Sequence, residues 1–138
     1  MTWTKEMFGV EKPIIALLHL QALPGDPLYG GDMEGVYRQA LEDLNGLQDG
    51  GVDGVLIANE FSLPYQINAD PVTIGAMGYL VGRLKEFIRI PFGVNVVLNP
   101  MASLELAAST GASFIRSAFT GAYMGENGVV NTDVAAVV

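Results

Sequence analysis

Where the predicted strands of this chain end stand one histidine, one glutamate, several asparagines and one arginine: His19, Asn59-Glu60, Asn95 with Asn99, and Arg116. An imidazole or a carboxylate moves protons in general acid–base chemistry. Amides and a guanidinium hold oxygen-rich or anionic groups, the guanidinium through a planar fork of donors. Polar groups at the carboxyl ends of parallel strands are where α/β folds place their sites. The types and positions together point to a ligand site with an acid–base pair, His19 and Glu60, and a binding set, Asn59, Asn95 and Arg116.

Each residue also has a plainer reading. His19 is the single histidine, and it either transfers protons or lines the mouth of the fold as a hydrogen-bonded ring. Asn95 interrupts an apolar strand, so its amide joins an interior polar network or faces ligand; left unpaired it would cost about 1–3 kcal/mol. Arg116, in Phe-Ile-Arg-Ser, needs an anion, supplied by ligand phosphate or carboxylate or by Glu60 as an ion pair. Glu60 is a candidate general base or metal ligand. Asp26 lies in Pro-Gly-Asp-Pro, a turn setting, and Asn99 and Asp70, each followed by proline, are expected as helix caps. No ligand spacing on one element supports a metal site among His19, Glu60 and Asp26. No P-loop, nucleophile elbow or HExxH motif is present, and no motif names a cofactor.

These residues depend on the strands that carry them. Residues 13–19 form a short, nearly continuous aliphatic run, as in a parallel strand buried on both faces. A loop with its turn at Pro24-Gly25-Asp26-Pro27 leads to Asp32, a cap, and then to apolar residues at helical spacing from Met33 to Leu47; Gly50-Gly51 ends that helix. Residues 54–59 are the second strand. A helix opening at Asp70-Pro71 buries Met77, Leu80, Val81, Leu84, Phe87 and Ile88. Residues 92–97 are the third strand, and the next helix turns Leu104, Ala107 and Ala108 inward before Gly111. Residues 113–117 are the fourth strand. Residues 121–128 read as a glycine-rich loop, and Asn131-Thr132-Asp133 caps a last helical segment. By alternation, Asn59, Asn95 and Arg116 can share an inward face with His19. The segment 51–57 echoes 111–116, each a helix-ending glycine followed by a strand, as repeated βα units require.

Strand and helix alternating through four rounds imply parallel pairing with right-handed crossovers. An open doubly wound sheet and a (βα)8 barrel both fit. A dinucleotide fold lacks its fingerprint, because His19-Leu20-Gln21-Ala22 follows the first strand where Gly-x-Gly-x-x-Gly would stand.

The 138 residues suit one domain, and half are hydrophobic. A net charge of −8, fifteen acids against seven bases, repels phosphate backbones and anionic lipid, which argues against nucleic acid and membrane surfaces as partners. Arg83, Lys85 and Arg89 form the one basic cluster and read as a solvated helix face. Without cysteine, disulfides and thiolate chemistry are excluded. The start lacks the basic-then-apolar pattern of a signal peptide, and no apolar run reaches a membrane span; a cytoplasmic location is expected.

Phe8-Gly9-Val10, the run from Lys12 to Leu20, Leu23-Pro24-Gly25-Asp26-Pro27, Gly50-Gly51-Val52-Asp53-Gly54, Gly93-Val94-Asn95-Val96 and Gly111-Ala112-Ser113-Phe114-Ile115-Arg116 resemble the BtpA/SgcQ family. The resemblance covers nearly the whole chain in order and corresponds to the amino-terminal half of the family fold. It implies a (βα)8 TIM barrel like those that bind phosphorylated sugars, of which this chain carries about four βα units. It also implies an association with photosystem I or membrane-complex biogenesis. Two departures stand out. The acid and amide after strand two are in the order Asn59-Glu60, and Asn99-Pro100 stands where the family tends to an Asn-Asp pair.

Four strands leave sheet edges open and one interior face uncovered. Leu17, Ile57 and Val97 are therefore expected to meet water, and the chain to self-associate or to bind a complementary half-barrel. The expected small-molecule partner is anionic.

Overall fold

The computed structural model describes residues 2–125 and 128–138. Its centre is a parallel sheet of four strands in chain order, β1 (Ile15–His19), β2 (Gly54–Ala58), β3 (Phe92–Asn95) and β4 (Phe114–Ile115). Helices α2 (Met33–Asp49), α3 (Pro71–Leu84) and α4 (Pro100–Thr110) form the connections. A short α1 (Trp3–Phe8) precedes the sheet; β5 (Ala122–Gly125), β6 (Gly128–Asn131) and α5 (Val134–Val137) follow it. The architecture is α/β, with a parallel four-stranded sheet and helices, consistent with part of a TIM-like barrel.

Register explains the two faces. Leu18 pairs with Ile57, Ile57 with Val94 and Val94 with Ile115. These side chains, with Val55, Phe92 and Val96, meet Leu44, Leu80, Leu84 and Leu106 of the helices in one core. The alternate residues face the other way: Leu17 pairs with Leu56, Leu56 with Gly93 and Gly93 with Phe114, while His19 pairs with Ala58 and Ala58 with Asn95. At the amino end of this second face sits α1, which the sequence reading missed. Its Phe8 meets Phe114 edge to face at 5.6 Å and lies against Gly54, where a Cβ would stand 2.7 Å from the ring. A Cβ on Gly93 would collide with the Phe114 ring. The strand glycines make room for two aromatic rings.

Several expectations change here. Strand β1 is covered on one face only: Leu18 is buried, but Leu17 is 44% exposed and Ile15 37% exposed. Among the described residues no strand flanks β1 on its other side. Ile57, expected to meet water, is fully buried because its register turns it to the helices. Phe87 is exposed because α3 ends at Leu84. The buried side of α4 is Ala102, Ser103, Leu106 and Thr110, with Ala108 exposed. Ser103 and Thr110 disguised that stripe: their hydroxyls donate to the Asn99 and Leu106 carbonyls of the preceding turn, so two polar residues sit comfortably inside. In the segment expected as a glycine-rich loop, 121–128, Ala122–Gly125 form β5 and Gly128 opens β6, which pairs with it antiparallel; residues 126–127 lie outside the described residues.

Other signals hold. Asp32 accepts from the Gly35 N–H and Asp133 from the Ala136 N–H as caps. Gly51 and Gly111 both take positive φ, 81° and 77°, which accounts for the echo at the two helix ends. The basic trio is engaged locally. Arg83 bonds both oxygens of Glu34 and stacks 3.5 Å over the Tyr37 ring, Lys85 donates to the Thr110 carbonyl, and Arg89 pairs with Asp49. No helix among the described residues is long and apolar enough to cross a membrane.

Candidate functional site

The carboxyl rim of the sheet gathers four of the five predicted residues. Arg116, just past β4, donates from Nη2 to Glu60 Oε1 at 2.9 Å and to Asn95 Oδ1 at 3.2 Å. Asn95 returns a bond from Nδ2 to the Arg116 carbonyl at 2.6 Å. The Asn95 residue, 4% exposed, is thus paired through both its amide oxygen and its amide nitrogen. Glu60 receives a second donor on its other oxygen, the Tyr65 hydroxyl at 2.7 Å. Burial pushes the Glu60 carboxyl up; hydrogen bonds from Tyr65 and Arg116 and the charges of His19 and Arg116 outweigh it and hold it below the usual range. The same bond to Glu60, helped by burial, pushes the Tyr65 phenol up to about 12.

His19 stands at the end of β1, its ring edge-on to Phe61 at 6.5 Å. Its Nε2 is buried with no hydrogen-bond partner among the described residues. A buried, unpaired imidazole nitrogen is costly unless something else occupies it.

Asn59 departs from the expected inward face. It shares the direction of Ile57, is 5% exposed, and accepts the Val97 N–H at 2.8 Å. Asn99 and Asp70 occupy cap positions without capping through their side chains. Asn99 instead ties two loops, accepting from the Ala69 N–H and donating to the Gln66 and Val97 carbonyls. Asp26 serves its turn, accepting from the Leu23 N–H and the Ser62 hydroxyl, each at 2.6 Å. Between the two tethered residues, Leu98 takes φ 62°, a left-handed conformation that is rare outside glycine.

A cavity of about 400 Å³ opens beside Arg116. Leu98 and Pro100 form one wall, and Tyr123, Val130 and Thr132 of the hairpin region another. A smaller cavity of about 200 Å³ continues past Leu98, Tyr123 and Val130 to Tyr65 and Met124. The sequence reading left Tyr65, Leu98 and Tyr123 without a role. A tyrosine hydroxyl five residues beyond Glu60 is a weak signal for the first; nothing local marks the others, which the fold alone brings to the cavity.

The pattern of the BtpA family matches residues 10–138. The chain is 52% identical to the sgc region protein SgcQ of Escherichia coli (strain K12) over 136 residues, 97% of this chain and 51% of that protein. It is 34% identical to the photosystem I biogenesis protein BtpA of Synechocystis, covering 91% of this chain and 45% of that one. An uncharacterized protein of Thermococcus kodakarensis is 35% identical over 76% of this chain and 41% of its own length. The chain spans about half the length of the curated relatives it matches. No solved structure matches. The family pattern over nearly the whole chain and the 52% identity to SgcQ settle the family: the protein belongs to the BtpA family.

Proposed function

We propose that these four βα units are half of a single (βα)8 barrel domain, and that the barrel is an enzyme of the phosphosugar-binding type. Its site lies at the carboxyl ends of the strands, and it acts by proton transfer in an isomerase or lyase reaction. What carries this reading is the convergence of Glu60, Asn95 and Arg116 on one rim that also holds His19, whose Nε2 is buried and without a hydrogen-bond partner among the described residues. Both Glu60 oxygens are already engaged, so His19 takes the proton and Glu60 sets the charge around it. Arg116 and Asn95 position an anionic substrate, with Asn59 fixing the loop beside them. In such barrels the phosphate grip usually comes from the loops after strands seven and eight.

The test is a thermal-shift screen of the complete barrel with sugar phosphates, followed by titration and turnover assays. One ligand class should stabilise the protein reproducibly. Arg116→Ala should abolish that shift, and His19→Asn should spare binding and reduce turnover. A silent screen, or a shift that survives Arg116→Ala, would overturn the reading.

A second reading is favoured by the name of the Synechocystis relative, a photosystem I biogenesis protein. In it the chain is a non-catalytic assembly factor that reuses a barrel scaffold. A silent ligand screen together with a stable membrane-complex subunit in pull-down would select it.

A further inference from the structure

The cavity beside Arg116 has a composition that a bare sugar phosphate does not explain. In a chain of net charge −8, Arg116 is the one charged side chain lining it among the described residues. Only Nη2 of the guanidinium is committed to Glu60 and Asn95. The Nη1 and Nε donors make no hydrogen bond among the described residues, and the side chain is 47% exposed. They are placed to donate to two oxygens of a planar anion.

The charge of that anion is limited by Glu60, whose carboxylate stands 2.9 Å from Nη2 and already balances the guanidinium. A monoanion adds one charge to a neutral pair. A phosphate monoester, carrying about −1.5 to −2 near neutral pH, would meet stronger repulsion from the same carboxylate.

The rest of the wall is mainly apolar, with Asn95, Ser117 and Thr132 as its polar members. Leu98, Pro100, Ala118, Tyr123 and Val130 surround the space, and three of them continue into the second cavity. Leu98 is the informative member. Its left-handed backbone is disfavoured for a branched aliphatic residue, and conformations of this kind concentrate at ligand sites. It is held there by the Asn59 bond to Val97 and the Asn99 bond across the turn. Glycine would satisfy that backbone without strain, so the leucine side chain contributes something other than turn geometry. The volume falls within the range of small-molecule sites, about 300–1,000 Å³.

We propose that this cavity binds a monocarboxylate carried on a flat apolar ring, its carboxylate on Arg116 and its ring against Leu98 and Tyr123. The inference rests on the rim being a ligand site and leaves any phosphate grip elsewhere in the barrel.

The experiment is calorimetric titration of the 138-residue chain with benzoate, acetate and ribose 5-phosphate, repeated on Arg116→Lys, Tyr123→Ala and Leu98→Gly, with the urea midpoint of each variant. Benzoate should bind at least about tenfold more tightly than acetate, since one ring contact set is worth about a factor of ten or more. Arg116→Lys and Tyr123→Ala should each weaken benzoate by about tenfold. Leu98→Gly should weaken benzoate while leaving the urea midpoint unchanged or raised, an outcome that a purely structural leucine would not give. Equal binding of benzoate and acetate, or benzoate affinity indifferent to Arg116→Lys, would overturn the proposal. Ribose 5-phosphate binding more tightly than benzoate and depending on Arg116 would refute the ligand class and leave the rim reading standing. Benzoate behaving as expected with no ribose 5-phosphate bound would support the subsite, the phosphate grip of such barrels lying in the loops after strands seven and eight. Absence of benzoate binding would remove the subsite and leave the phosphosugar reading to its own screen.

Discussion

Glu60 accepts from two donors at once, and this decides what the rim can do. With Arg116 on one oxygen and Tyr65 on the other, it is a carboxylate fixed in its charged form. The sign of the pH dependence follows. Its folded pKa is depressed, so its contribution to stability is fully present above the ordinary value of 4.5 and is lost as pH falls through the lower folded value. Tyr65 behaves oppositely: raised from 10.0 to about 12, it contributes below pH 10 and loses that contribution as pH climbs through about 12. Ultraviolet titration should therefore show one tyrosine ionising near 12. Tyr65→Phe should remove that late step, and Glu60→Gln should move it back toward 10. A wild-type titration without a late tyrosine would show that the Tyr65–Glu60 bond does not persist in solution.

At the scale of elements, the turn from β3 to α4 positions the site more than any strand does. Asn59 holds the Val97 N–H, and Asn99 reaches two loop carbonyls and the Ala69 N–H. Both side chains are buried. Asn59→Ala leaves one buried donor unpaired and should cost about 1–3 kcal/mol. Asn99→Ala breaks three bonds and should cost more, both read from urea unfolding. A cost for Asn99→Ala no greater than that of an exposed residue would mean the loops do not depend on it. The sheet offers a second check where Phe114 lies over Gly93. Gly93→Ala should destabilise by about 1–3 kcal/mol through overpacking. Combined with Phe114→Leu it should cost less than the sum of the single changes, because both act on one contact. Additive costs would place the two residues apart.

For the molecule as a whole, the open face of the sheet is the governing feature. Ile15 and Leu17 on β1 are half exposed, and Ile14 and Phe61 beside them are exposed. The β1 edge has no strand partner among the described residues. An aliphatic parallel edge of this kind is a template for further pairing. We propose that the chain either self-associates or takes up a complementary half-barrel through this face. Sedimentation velocity should show species larger than a monomer that shift toward monomer with Leu17→Lys. A compact monomer for both proteins, with no binding of a dye specific for exposed apolar surface, would refute the proposal.

How far the sequence carried depends on the range of the forces involved. Strand order, parallel pairing, the helix-ending glycines and the caps at Asp32 and Asp133 follow from local preferences and period, and these are written in neighbouring residues. The position of His19, Glu60, Asn95 and Arg116 at one rim follows from the same rule, since parallel strands place all their carboxyl ends together. The tertiary structure decided the rest. Whether Arg116 meets Glu60, whether Asn59 faces inward or holds Val97, and whether Asn99 caps a helix or ties two loops all depend on partners 21 to 56 residues away. A polar side chain satisfies itself with whichever donor or acceptor the fold brings within about 3 Å. Its own neighbourhood in sequence says only that it must find one.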